Sequence, residues 1–302
     1  MRLTVSDVVS PSYFVATAAV ELGFFKNEGM EVEFVDTPAD SPTAFRDGEV
    51  DFIGASPYAG LAAMPGWRGA KLLCALSQHT YWFLAMRADL GIQRGDIDAL
   101  KGRRINAAGR PGLALRRVLE AAGLDLARDN IQIVQVPNPA GSWARIGADA
   151  IAQGIADGLW GNAMRVELAV REGLATLVLD IRRGDGPPAA RDYTFPALIT
   201  TDRLVEEDPE AAAGAVRAIV KTQRALAADP SLATQVGRRL FPPAEAALIA
   251  DLVARDVPFY DPRIPEQAVA QAAAFAQEIG MLSGPVAYQD VVATQFADLW
   301  DA

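Results

Sequence analysis

The chain has 302 residues, 51% hydrophobic and 22% charged, with a formal charge of −10 and an isoelectric point near 4.7. That length supports two lobes with separate cores, and the composition is that of a packed globular protein, not a disordered one. The acidic balance argues against a nucleic-acid binder, which needs a basic face, and no apolar run reaches the roughly 18 residues that membrane insertion requires.

The first half alternates strand and helix signals. "RLTVSDVV" reads as a strand and "SYFVATAAVELGFFKNEG" as a helix closed by Gly29. "MEVEFVD" alternates apolar and acidic residues as a second strand. "SPTAFRDGE" opens a short helix at Ser41-Pro42, where the missing proline N–H costs nothing. "VDFIGA", bounded by Asp47-Gly48 and Ser56-Pro57, is a strand entering a turn. A helix from Pro57 to Met64 and the strand "AKLLCALS" follow. This order predicts right-handed crossovers and a largely parallel sheet with helices on both faces.

"YWFLAMRADL" is a further strand, and the polar "GIQRGDIDALKG" suits a crossover. A second β–α unit then starts with the strand "RRINAA", the loop "GRPG" and the helix "LALRRVLEAAGL". "IQIVQV", "DGLWGN" and "ATLVLDI" are its later strands, with helices at "RIGADAIAQGI" and "MRVELAVREG". "RRGDGPPAARD" reads as an exposed loop, and "YTFPALITT" as a strand returning to the first lobe. The rest is helical: "DPEAAAGAVRAIVKTQRALAADP", "PPAEAALIADLVAR", "PEQAVAQAAAFAQEIGM" and "YQDVVATQFADLW". The fold class is therefore α/β with two lobes, residues 1–88 with 192–302 forming the first and 89–191 the second.

The chain is poor in catalytic material. Its one cysteine, Cys74, sits in an apolar run, which reads as a small core residue and excludes an internal disulfide. With His79 as the single histidine, the common zinc geometries lack ligands. No metal and no organic cofactor are expected. Met1 leads straight into "RLTVSDVV" with no basic and apolar leader pattern, so either the chain is cytoplasmic or a signal peptide has been trimmed.

Four segments in order carry a resemblance: "AAVELGFFKNEGMEVEFV", "AFRDGEVDFIGASPYAG", "DIDALKGRRINAAGRPG" and "DPEAAAGAVRAIVKTQRALAADP". Together they resemble the type II periplasmic substrate-binding proteins of taurine, alkanesulfonate and nitrate ABC importers. That family includes a thiamine-pyrimidine, NMT1-like branch. The resemblance implies a monomeric receptor with a ligand cleft between its lobes, an ABC permease as partner, and a periplasmic or cell-surface location. It implies a small-molecule ligand held by loops at the carboxyl ends of strands.

Those loops supply the candidate ligand contacts. Ser10, Ser12 and Tyr13 follow the first strand, as hydroxyl donors and one wall, or as a plain serine N-cap. Thr37 and Ser41 follow the second strand, with capping the stronger reading for Ser41. Ser56 and Pro57 end the third, and His79 follows the fourth. In the second lobe Arg110 stands where the family commonly has small or hydroxyl residues. A guanidinium beside a helix start suits a carboxylate or sulfonate. Asn138 and Trp160 lie in strand-end loops, Trp160 being an aromatic wall or lobe core, and Tyr193 is a hinge or wall candidate. Two classes stay open: a receptor closing on a small, anionic and in one version aromatic solute, or an enzyme on the same scaffold. The enzyme would be a desulfinase, decarboxylase or pyrimidine synthase. A cytoplasmic ligand sensor is a third option.

Overall fold

Short apolar runs between turn signals become strands in a computed structural model that describes residues 1–36, 41–107, 109–136 and 144–301, all but the side chain of Arg110. In chain order they are β1 (Arg2–Val5), β2 (Glu33–Phe34), β3 (Phe52–Ala55), β4 (Ala70–Ala75) and β5 (Phe83–Arg87). Then come β6 (Arg104–Asn106), β7 (Gln132–Val134), β8 (Gly158–Gly161), β9 (Ala175–Asp180) and β10 (Ala197–Thr201). The chain forms two compact units, Met1–His79 with Thr194–Ala302, and Thr80–Tyr193.

The first unit holds a sheet of order β2-β1-β3-β10-β4. Here β1 is parallel to β2 and β3, while β10 runs antiparallel between β3 and β4. The second unit repeats the pattern as β7-β6-β8-β5-β9, with β5 antiparallel between β8 and β9. Each sheet is mixed, with one strand reversed. The division at 88/89 puts Phe83–Arg87 in the first lobe, yet β5 pairs with β8 and β9. The link from β4 to β5 is too short for a parallel crossover, which takes about a dozen residues. So β5 cannot lie beside β4 as a parallel neighbour.

Helix Phe14–Glu21 packs closely on the first sheet because Gly54 has no side chain. A Cβ there would lie 3.0 Å from Ala16 Cβ and 3.0 Å from Val5 Cγ1. The predicted helix ends early, since Gly23 adopts φ +78 and starts a separate turn, Phe24–Asn27. That turn is tied down by Glu28, whose carboxylate accepts from Arg217 Nε at 2.7 Å and from Lys221 on helix Pro209–Ala228.

Burial works against the charge on Glu28, but the hydrogen bonds and charges of Arg217 and Lys221 outweigh it and hold the carboxyl below its ordinary 4.5. A depressed folded pKa contributes stability above the unfolded value and loses it as pH falls through the folded one. Glu28→Gln should therefore cost about 1–2 kcal/mol at pH 7. The gap from the parent should narrow in denaturant melts as pH falls below about 4.5. An equal gap above and below that pH would contradict the linkage.

The carboxy-terminal region departs from expectation in places. Two unpredicted helices appear, Asp202–Glu207 and Leu232–Leu240. The last predicted helix shrinks to Tyr288–Val291 followed by a 3₁₀ segment, Thr294–Trp300. Val292 is extended instead, bridging Leu72 of β4, which suits its β-branched side chain. The supposed exposed loop after β9 forms two 3₁₀ turns, Ile181–Arg183 and Pro188–Asp192, and Arg182 in it is fully buried. Asp180 caps the first, accepting from Arg183 N at 3.3 Å and Nη1 at 2.9 Å.

Candidate ligand-binding site

In the first unit β1 to β4 share a direction, so their carboxyl ends gather at one edge of the sheet, where β10 begins. Ala197 of β10 lies opposite both Ala55 and Ala75. The segment after β1 is a run of turns: Tyr13 N donates to Ser10 O at 3.2 Å and Phe14 N to Pro11 O at 3.2 Å. The N-cap of helix Phe14–Glu21 is Tyr13, so neither Ser10 nor Ser12 caps it. Both serines are 1% exposed, and the Ser10 hydroxyl is buried with no hydrogen-bond partner among the described residues. A buried hydroxyl without a partner is unfavourable by about 1–3 kcal/mol.

Ser56 is the extended N-cap residue of helix Pro57–Ala63, and its side chain makes no cap hydrogen bond. Pro57 is buried at the first helical position, and its carbonyl accepts from Trp67 Nε1 at 3.1 Å. Beyond β4, Gln78 is a clamp. Its amide Nε2 donates to Asp261 O at 2.8 Å and Arg263 O at 2.7 Å, and its backbone N donates to Phe259 O at 2.8 Å. His79 follows in the left-handed region at φ 65, with its ring edge-to-face on Phe259 at 6.2 Å. Such a backbone is unfavourable for a residue with a Cβ. Neighbouring Cys74 is fully buried, and burial pushes its thiol pKa up, so no thiolate forms there near neutral pH.

In the second unit β6 to β9 share a direction, and the start of β5 lies beside the ends of β8 and β9, with Phe83 opposite Gly161 and Asp180. Aromatic residues collect at this edge. The Trp82 and Trp160 rings are 6.0 Å apart at 51°, and Tyr81 and Trp82 are 5.8 Å apart at 55°. Arg182 Cζ lies 5.9 Å from the centre of the Tyr81 ring. Trp160 is 3% exposed, and its indole N–H is buried with no hydrogen-bond partner among the described residues. Asn162 caps helix Ala163–Arg171 by accepting from Arg165 N at 3.1 Å.

A recess of about 750 Å³ in the first unit lies elsewhere, around Arg68, Lys71, Asp202 and residues 282–286. It is at the opposite edge of the sheet, by the start of β4 and the end of β10. Its polar groups serve the fold: Lys71 Nζ donates to Gln289 O and Asp290 O, and Asp202 accepts from Gly69 N. Among the described residues no group of His, Cys, Asp and Glu is arranged to hold a metal ion, and no helix is long and apolar enough to cross a membrane.

The family model described as NMT1/THI5 like matches residues 10–233. The chain belongs to the NMT1/THI5-like family. None of the curated proteins compared with it matches in sequence. Solved structures do match in fold. The periplasmic aliphatic sulphonate binding protein SsuA from Escherichia coli is 13% identical with a TM-score of 0.72, the match covering 97% of this chain and 91% of that one. The periplasmic nitrate-binding protein NrtA from Synechocystis PCC 6803 is 18% identical with a TM-score of 0.70, over 99% and 86%. The desulfurization enzyme DszB is 18% identical with a TM-score of 0.67, over 99% and 98%. Identities this low show a shared fold, the two-lobed periplasmic-binding-protein architecture, and leave function to the site.

Set in this family, the predicted residues divide. Ser10, Ser12 and Tyr13 follow β1, and Ser56 and Pro57 follow its neighbour β3 at the strand-end edge of the first unit, while Trp160 is at that of the second. Ser41 opens helix Ser41–Arg46 and is buried. Thr37 and Asn138 lie outside the described residues, and so does the side chain of Arg110, whose backbone is in the first turn of helix Gly109–Ala121. Tyr193 follows the Pro188–Asp192 turn as the last residue of the second unit. Sequence reading did not single out Trp82 and Arg182, which neighbour Trp160 and Tyr81 at this edge. Trp82 sits inside a strand-like run and Arg182 inside a Gly/Pro-rich one, and neither run marks a pocket.

Proposed function

We propose that the chain is a solute-binding receptor of an ABC importer whose ligand is a small organic anion. Family membership and the fold shared with sulphonate- and nitrate-binding proteins support the receptor class. The observation that carries the reading is the Ser10 hydroxyl, buried at the carboxyl edge of the first sheet with no partner among the described residues. A ligand oxygen is the natural occupant of such a group, and ligands of open α/β sheets collect at this edge. Arg110, at the start of a 13-residue helix after β6, would supply the countercharge. As in the family, the working location is the periplasm or cell surface.

The enzyme reading has one observation in favour, the fold shared with DszB. Cys74 weighs against thiol chemistry, because it is this chain's sole cysteine and is buried with a raised pKa. A thermal-shift screen of small sulfonates and carboxylates tests the receptor. A ligand at about a hundred times its Kd should add roughly 2.7 kcal/mol and raise Tm in a saturating way. No shift with any organic anion would contradict an anion receptor.

A further inference from the structure

We propose that Trp160 is a specificity-determining residue that makes this chain a receptor for aromatic acids over aliphatic ones. The inference rests on the receptor reading above and names the ligand class. Trp160 is 3% exposed and its indole N–H has no acceptor among the described residues. An indole N–H only donates, so the missing partner must be an acceptor such as a carboxylate or sulfonate oxygen. Leaving that donor buried and unpaired is unfavourable, and an arriving acceptor removes the penalty.

The surroundings select the rest of the ligand. Trp82 lies 6.0 Å from Trp160 at 51°, so the two indoles are inclined to each other, not stacked face to face. Inclined aromatic faces accommodate another ring in offset or edge-to-face contact, and an alkyl chain gains less from them. Arg182, fully buried, lies 5.9 Å over the ring of Tyr81, which is itself paired with Trp82. Tyr81, Trp82 and Trp160 thus offer ring contact and one directed N–H. That combination fits a planar aromatic acid.

The test uses the full chain with benzoate, benzenesulfonate, acetate and methanesulfonate, titrated by calorimetry into the parent and into Trp160→Phe. Phenylalanine keeps an aromatic wall and removes the N–H. The aromatic acids should bind at least roughly tenfold tighter than the aliphatic ones. Trp160→Phe should weaken the aromatic acids by roughly ten- to a hundredfold, the loss of one hydrogen bond to a charged acceptor. The melting temperature of the free variant should hold or rise, since a buried orphan donor has gone; a merely structural Trp160 would lower it. Equal binding of aromatic and aliphatic acids would overturn this inference and leave the receptor standing. So would unchanged affinity in Trp160→Phe, which would mean that a buried water satisfies the indole. Failure of all four acids to bind would sink the inference together with the anion-receptor reading.

Discussion

Trp67→Ala should destabilise the protein by about 3–5 kcal/mol, the range for removing a fully buried large aromatic side chain. Trp67 is 2% exposed and heads the fully buried side chains by volume. It sits in the "PGWRG" turn with φ 57, directly after Gly66 at φ 72, so two successive left-handed residues aim the indole under helix Pro57–Ala63. Its N–H is spent on the Pro57 carbonyl at 3.1 Å. Alanine would leave a cavity and remove that tie, while keeping the unfavourable backbone. Trp67→Phe preserves most of the volume and should cost only about 1–2 kcal/mol. Urea unfolding measures both. The same loss should loosen the Ser56-Pro57 loop, so ligand affinity should fall further in Trp67→Ala than in Trp67→Phe. A cost below about 1 kcal/mol for alanine would show that the helix is seated by other contacts.

Arg110→Ala should weaken binding of the anionic ligand by about 2–4 kcal/mol, roughly thirty- to a thousandfold. Arg110 is the second residue of helix Gly109–Ala121, which follows β6 at the carboxyl edge of the second sheet. A helix start favours negative charge, and a guanidinium there adds a two-pronged pair to it. Stability of the free protein should change little, since the exchange keeps a good helix former in the first turn. Arg110→Lys should recover only part of the affinity, because a point charge does not reproduce the fork. Salt should weaken binding in the parent more than in Arg110→Ala. If Arg110→Ala binds as the parent does, the countercharge comes from another residue, and Arg182 becomes the residue to change.

Much of the fold was legible because its signals are local. The run "VDFIGA" between Asp-Gly and Ser-Pro gave β3 and the helix start after it. The return of β10 to the first sheet was likewise read from "YTFPALITT". What failed was non-local. The reversal of β5 depends on its antiparallel pairing with β8 and β9, which come much later in the chain. Val292 left its predicted helix to pair with Leu72, 220 residues away, a competition between propensity and tertiary pairing that no short window records. At the site, Ser10 and Trp160 were legible as strand-end residues, but their unsatisfied donors were not. A hydroxyl or indole lacks a partner only with respect to everything packed around it. The serine capping alternative was the reasonable local reading, and it failed because the turns Ser10–Tyr13 place Tyr13 at the cap. His79 carried no sign of its left-handed backbone, which residue type alone does not announce.

As a receptor, the chain should bind a small organic anion and release it unchanged. Calorimetric titration with the tightest anion from the thermal-shift screen, followed by recovery and analysis of that anion, tests this most directly. The receptor account predicts saturable binding of one solute molecule per chain and full recovery of the intact compound after long incubation. Steady heat from turnover, with sulfite, carbon dioxide or another fragment accumulating beyond one equivalent, would contradict it and establish an enzyme on this scaffold.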